Sequence, residues 1–229
     1  MIFSKANLLA VAAVGKKAAR RALRGVFMEK DGATVATDGS RLLAVGPIMD
    51  PEKVRFPDGA CERLNPGTNG ILCPNEFVEK AIKYIPPKGY QFVALSKPAD
   101  EARIGLTAVD ANGDASMVTA KPMPEPFPNW RSAVKQVYDG VTTQICLDSN
   151  YLESIVKAVR DASNAKSKGI PLYVEINPEM GIVIRTRNIN TGQEVIGLLM
   201  KYQTNEWLQK TDWERKVFRK PVKLRKSSR

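Results

Sequence analysis

Five cations fall within nine residues, Lys16, Lys17, Arg20, Arg21 and Arg24, with no acid among them. A run of this kind has one obvious chemistry, the neutralisation of phosphates. Gly15-Lys16 inside it lacks the earlier glycine and the Ser or Thr of a nucleotide-binding P-loop. Other chemistry is limited by what is missing. The 229 residues contain no histidine, which removes Ser-His-Asp hydrolysis, Cys-His proteolysis and histidine metal sites. Cys61, Cys73 and Cys146 stand too far apart for a CxxC pair. Three scattered thiols fit a reducing cytosol better than a disulfide scaffold. No carboxylates pair at a metal-ligand spacing. The expectation is a cytoplasmic, non-enzymatic protein with no metal and no cofactor.

The whole chain repeats the bias of that run. Lys and Arg number 35 against 24 Asp and Glu, a formal charge of +11. Such a balance favours a polyanionic partner, of which nucleic acid is the commonest. The apolar run Leu8–Val14 is far shorter than the ~20 residues of a membrane span. The cations that follow it stand on the wrong side for a secretory signal. A transit-peptide reading of residues 1–28 is disfavoured because a strand pattern follows with no linker. On a helical wheel, Leu8, Val11, Ala12, Gly15, Ala18, Ala19, Ala22 and Leu23 share an arc of roughly 140°. The five cations share an arc of similar width on the other side. This predicts one amphipathic helix from about residue 5 through Arg24. Its Ala-rich apolar face suits packing against protein rather than insertion into a membrane.

Such a helix needs a scaffold, and the chain supplies one three times. Short alternating strands are expected at Gly25–Glu29, Ala33–Thr37 and Arg41–Val45, with turns at Lys30-Asp31-Gly32 and Asp38-Gly39. A loop rich in proline, glycine and charge covers 51–69. The pattern restarts with a strand ending at Cys73 and a helix from Asn75 to Ile85. Strands follow near Tyr90–Lys97, Ala102–Val109 and Ser116–Lys121, then a proline-rich stretch, Pro122–Pro128. The third copy has a strand near Thr142–Leu147 and a helix opened by Asp148 or Ser149. Strands near Leu172–Ile176, Ile182–Arg187 and Glu194–Lys201 complete it. The period of roughly 70 residues and the β-α-β-β-β order define an α+β repeat protein.

Several stretches carry a family resemblance. Thr37-Asp38-Gly39-Ser40-Arg41-Leu42 is similar to the T-D-G-x-R-L signature of the bacterial sliding clamp, the beta subunit of DNA polymerase III. Phe127-Pro128-Asn129-Trp130-Arg131 resembles the F-P-[DN]-[YW]-R signature that closes the same domain there. Cys73-Pro74-Asn75-Glu76-Phe77 and Leu147-Asp148-Ser149-Asn150-Tyr151-Leu152 resemble its strand-to-helix junctions. The likeness covers about residues 5–202. The family's subunit has three domains of two repeats each, whereas this chain has three repeats, as in a reduced clamp of phage or mobile-element type.

The resemblance implies antiparallel sheets outside and helices on an inner face, with 1–126 a complete clamp-like domain. Its two repeats span about 1–50 and 70–122. A linker at 127–140, a single repeat at 141–202 and a basic tail at 203–229 complete the division. It implies a non-catalytic processivity factor that holds double-stranded DNA non-specifically. Lys16, Lys17, Arg20, Arg21, Arg24, Lys83, Lys157 and Arg160 would meet phosphates, with Lys80, Lys166 and Lys168 extending the set. It also implies a pocket for apolar peptides of DNA polymerases and clamp-loader-type proteins. That pocket would be built from Leu23, Thr37, Gly39, Arg41, Leu42 and Pro128 and closed by Ile196, Leu198, Leu199 and Met200. Here the strand keeps apolar-then-basic character but lacks the family's proline, and Ser132 replaces a second arginine. Homo-oligomers would be needed to surround DNA. The alternative is an interaction module that binds replication proteins and encircles nothing. The tail, with nine Lys or Arg and two acids between Lys210 and Arg229, reads as a disordered basic segment, a phosphate-binding arm or a segment docking on a neighbouring chain.

Overall fold

A computed structural model describes residues 1–48, 54, 56–67, 69–86, 91–100, 102–139, 145, 147–162, 171–187 and 194–201. The chain divides into two units, Met1–Arg131 and Ser132–Arg229. The first opens with β1 (Ile2–Ser4), a strand too short to be expected from pattern, and α1 (Lys5–Leu8). Ser4 and Asn7 form a reciprocal cap at the start of α1. Asn7 is buried, and its Nδ2 also donates to the carbonyls of Gly32 and Gly46. Those bonds tie α1 to the Asp31-Gly32 turn and to the chain just after Val45, and remove the cost of a buried amide.

The expected helix through Arg24 does not form. After Leu8 the chain tightens into a 3-10 stretch, Leu9–Ala13, becomes extended at Val14, turns, and takes a second 3-10 turn at Arg21–Arg24. Gly15 interrupts the helical preference, and five like charges at helical spacing repel one another. Three strands follow: β2 (Gly25–Met28), β3 (Thr34–Thr37) and β4 (Leu42–Val45). The second repeat contributes β5 (Ile71–Pro74), α2 (Asn75–Tyr84), β6 (Phe92–Ser96), β7 (Ile104–Val109) and β8 (Ala115–Ala120). In α2 the residues Phe77, Val78 and Ala81 recur at helical spacing and are buried, while Glu76 complements the N-terminus and Lys83 the C-terminus.

Two four-stranded antiparallel sheets result, in the orders β1-β6-β7-β8 and β4-β3-β2-β5. Each borrows a strand. β1 of the first repeat pairs with β6 of the second, and β5 of the second pairs with β2 of the first. One continuous core therefore joins both repeats, including Phe3, Leu8, Val26, Met28, Phe77 and Leu95. Cys73 lies fully inside it, and burial pushes its thiol far up, leaving an inert core residue.

The stretch 127–140, expected as a linker, instead holds α3 (Trp130–Asp139). The second unit continues with α4 (Ser149–Ala162), β9 (Tyr173–Asn177), β10 (Gly181–Arg187) and β11 (Glu194–Met200). Asp148 caps α4, its Oδ1 accepting the N–H groups of Asn150 and Tyr151 at 2.8 and 3.1 Å. The three strands form one antiparallel sheet, β11-β10-β9. Val159 of α4 packs on Ile182, Ile184 and Leu199, flanked by Leu152, Ile155 and Val156. Gly197 on β11 allows this approach, since a Cβ there would lie 2.7 Å from Val159. Of the expected strand Thr142–Leu147, residues 142–144 and 146 lie outside the described residues, as do Lys166, Lys168 and the tail 203–229. No helix among the described residues is long and apolar enough to cross a membrane.

Candidate nucleic-acid and peptide interface

The turn between β3 and β4 is built by its own side chains. Asp38 Oδ1 accepts the N–H groups of Ser40 and Arg41, both at 2.9 Å. Asp38 Oδ2 accepts Arg41 Nε at 2.9 Å. Thr37 Oγ1 donates to the Arg41 carbonyl at 2.7 Å and accepts the Gly39 N–H at 3.1 Å. Gly39 has a φ of 95°, which a side chain would strain. Each residue of the Thr-Asp-Gly-x-Arg motif thus has a structural task in shaping this corner.

The N–H groups of Arg41 and Ser40, and then the Arg41 guanidinium, hold the Asp38 carboxyl below its ordinary value of 3.8. A depressed folded-state value means that the charged form contributes stability, present above about pH 4 and lost as pH falls through the folded value. Asp38→Asn should therefore flatten the acid limb of the stability curve. Urea unfolding of both proteins on either side of pH 4 checks this, and a difference independent of pH contradicts it.

The cationic segment folds back onto this turn. Gly15 N–H donates to the Leu23 carbonyl at 2.9 Å, and Ala18 N–H to the Gly15 carbonyl at 2.8 Å. Arg24 Nε donates to the Ala18 carbonyl at 2.7 Å. Residues 15–23 therefore form a closed loop rather than a helical face. The loop brings Leu23 to the turn: a Cβ on Gly39 would lie 4.0 Å from Leu23 Cδ1. Thr37 pairs with Leu42 across the β3–β4 ladder. The structure thus gathers Leu23, Thr37, Gly39, Arg41 and Leu42 in one corner of the first unit. Next to it lies an open cleft of about 720 Å3 whose lining includes Val11, Val14, Lys16, Lys17, Ser40 and Arg41.

Lys16 pairs with Glu79 at 2.7 Å and Arg21 with Glu125 at 3.2 Å. Lys17 and Arg20 are exposed and have no carboxylate partner among the described residues. The cations expected on one wheel face are thus unequal, with Lys17 and Arg20 the most available to an anion. Lys80 and Lys83 are exposed on α2, and Lys157 and Arg160 on α4, where Arg160 stands 3.6 Å from Asp161.

In the second unit β11 splits the expected pocket residues between two faces. Ile196, Leu198 and Met200 are exposed on one face, whereas Leu199 is 8% exposed and belongs to the core under α4. Leu199 is therefore a packing residue, because strand alternation turns it opposite to its neighbours.

The Phe-Pro-Asn-Trp-Arg stretch anchors itself on the first repeat. Phe127 stacks on Phe27 with ring centroids 5.0 Å apart. Half-buried Pro128 accepts the Trp130 N–H on its carbonyl at 2.7 Å. Trp130 is buried and donates its Nε1–H to Glu29 Oε1 at 3.1 Å. Arg131 grips both oxygens of Glu29, at 2.7 and 2.5 Å, and lies over the Trp130 ring. Glu29 had no visible role in the sequence, since its partners stand 101 and 102 residues away.

No family model matches the sequence, and no curated protein matches it. Solved structures do. A DNA polymerase sliding clamp from Pseudomonas aeruginosa aligns with a TM-score of 0.61 at 16% identity, over 88% of this chain and 50% of that one. A DNA polymerase sliding clamp from Caulobacter crescentus gives 0.55 at 17%, over 90% and 51%. A DNA polymerase III subunit beta sliding clamp from Bartonella birtlesii gives 0.53 at 18%, over 89% and 52%. The protein has the α+β fold of the bacterial sliding clamps. It spans about half the length of the clamps it matches.

Proposed function

We propose that this protein is a non-catalytic, clamp-like processivity factor of DNA replication working in the cytoplasm. One observation carries the reading: a chain with the clamp fold over 88% of its length also assembles Leu23, Thr37, Gly39, Arg41 and Leu42 in one corner. DNA would be held by phosphate charge without base readout, through Lys17 and Arg20 first. Lys16, Arg21, Arg24, Lys83, Lys157 and Arg160 would support them. Polymerase and clamp-loader-type proteins would dock short apolar peptides at the Leu23–Leu42 corner of the first unit, with Pro128 as a further contact.

Titration of the full chain with a labelled peptide carrying Gln and two apolar anchors tests the docking corner. Saturable binding is expected, and Leu42→Asp should weaken it at least tenfold by placing an unpaired charge against apolar groups. Absence of saturable binding to folded wild-type protein overturns the assignment. A second reading, an interaction module that encircles nothing, is favoured by the carboxylate partners of two of the five clustered cations, Lys16 with Glu79 and Arg21 with Glu125, which leave less charge for phosphates. It shares the peptide result and predicts no binding to DNA.

A further inference from the structure

Two acids from outside the cationic loop hold it. Glu79 of α2 takes Lys16 at 2.7 Å, and Glu125 takes Arg21 at 3.2 Å. The two acids are not equivalent. The Glu79 side chain is 37% exposed and that of Glu125 25%. Glu125 Oε2 is also fully buried and has no hydrogen-bond partner among the described residues. Glu125 stands between Pro124 and Pro126, whose rings restrict the backbone and which have no N–H to offer that oxygen. This short strut is anchored on either side. Met123 N–H donates to the Leu72 carbonyl at 2.8 Å, and Phe127 stacks on Phe27. Glu125 is therefore a fixed carboxylate, and Arg21 is its one charged partner among the described residues.

We propose that Glu125 is an internal competitor for phosphate, which occupies Arg21 and so limits the protein's hold on DNA. The inference rests on the DNA reading above. Were Arg21 to move to a phosphate, both oxygens of a largely buried carboxylate would be left without a donor, a costly state. Arg21 therefore stays with Glu125 when DNA arrives. Glu79 does the same for Lys16 less firmly, because both of those side chains are more open to water, which can replace either partner. The loop then offers DNA three cations rather than five. Lys17, Arg20 and Arg24 are exposed and have no carboxylate partner among the described residues. Arg24 is oriented by its bond to the Ala18 carbonyl. A smaller set of phosphate contacts is exchanged more readily as a protein moves along a duplex. The acid thus sets the strength of binding rather than the stability of the fold, to which a pair with so exposed an arginine adds little.

Binding of the full chain to duplexes of unrelated sequence over a salt series tests it. Glu125→Gln should raise affinity at least about fivefold and the log–log salt slope by about 0.9, alike on every duplex, because a neutral amide cannot hold Arg21 against a phosphate. Glu79→Gln should raise the slope by less. Asp114→Asn removes the same charge from an exposed acid between β7 and β8 and should leave the slope unchanged. Arg21→Gln decides the matter if Glu125→Gln fails to fold. An arginine already occupied adds little to the slope, so Arg21→Gln should lower it by far less than Lys17→Gln does. A slope that Glu125→Gln does not raise, or that Asp114→Asn raises equally, overturns the proposal and leaves the DNA reading standing. So does an Arg21→Gln loss as large as that of Lys17→Gln. Binding by Glu125→Gln but not by wild-type protein supports it. No binding by either at low salt overturns the DNA reading and this proposal together.

Discussion

Trp130→Ala will lower the stability of the first unit by about 3–5 kcal/mol, the range for a large aromatic removed from a core. Trp130 is 4% exposed, so little solvent fills the space it leaves. Its indole N–H is also one of three donors on the buried carboxylate of Glu29. Arg131 would remain bound to Glu29 but would lose the ring it lies on. Trp130→Phe separates the two contributions. It keeps most of the apolar volume and loses the hydrogen bond, for an expected cost of about 1–2 kcal/mol. Urea unfolding followed at the first unit measures both. A loss under about 1 kcal/mol for Trp130→Ala would show that the anchor is dispensable.

Gly181→Ala should cost about 3 kcal/mol and act on the second unit alone. Gly181 has a φ of 150°, and a Cβ added there would sit 2.1 Å from the Leu199 carbonyl oxygen and 2.8 Å from Met200 Cα. Both neighbours are backbone of the paired strand, so they cannot rotate away. Relief requires separating the ends of β10 and β11, where Gly181 pairs with Met200. The bond from Lys201 N–H to the Met180 carbonyl would go with it. Amide exchange should accelerate in β10 and β11 and stay unchanged in β6 and β7. Equal acceleration in both units would mean that they unfold as one, contrary to the division of their cores.

The sequence read well where one local preference agreed with burial. The restart of the repeat placed α2 at Asn75–Ile85, one residue beyond its observed end, and alternation placed β6 to β8 within two residues of their observed starts and ends. The Thr-Asp-Gly-x-Arg turn was legible because its hydrogen bonds are local. The cationic segment was misread because a wheel assumes the helix it displays. Gly15 was the signal in the sequence that the helix stops, and the chain is already extended at Val14. α3 was hidden behind a proline-rich approach, though Asn129 is a helix-starting residue type and the sequence spaces Trp130, Val134 and Val137 at i, i+4 and i+7. Leu199 was grouped with its neighbours by composition, while strand alternation sends it inward. The Glu29 anchor and the exchange of β1 and β5 between repeats depend on contacts far apart in the chain. Periodicity carries no record of those.

Equilibrium binding of the full chain to duplexes of unrelated sequence, repeated over a series of salt concentrations, tests the central claim most directly. The account predicts near-equal affinity for every duplex and a log–log salt dependence of about 0.9 per phosphate contact. It further predicts that Lys17→Glu with Arg20→Glu lowers both affinity and slope equally on all of them. Indifference to salt, strong preference for one sequence, or no binding at low salt would contradict it.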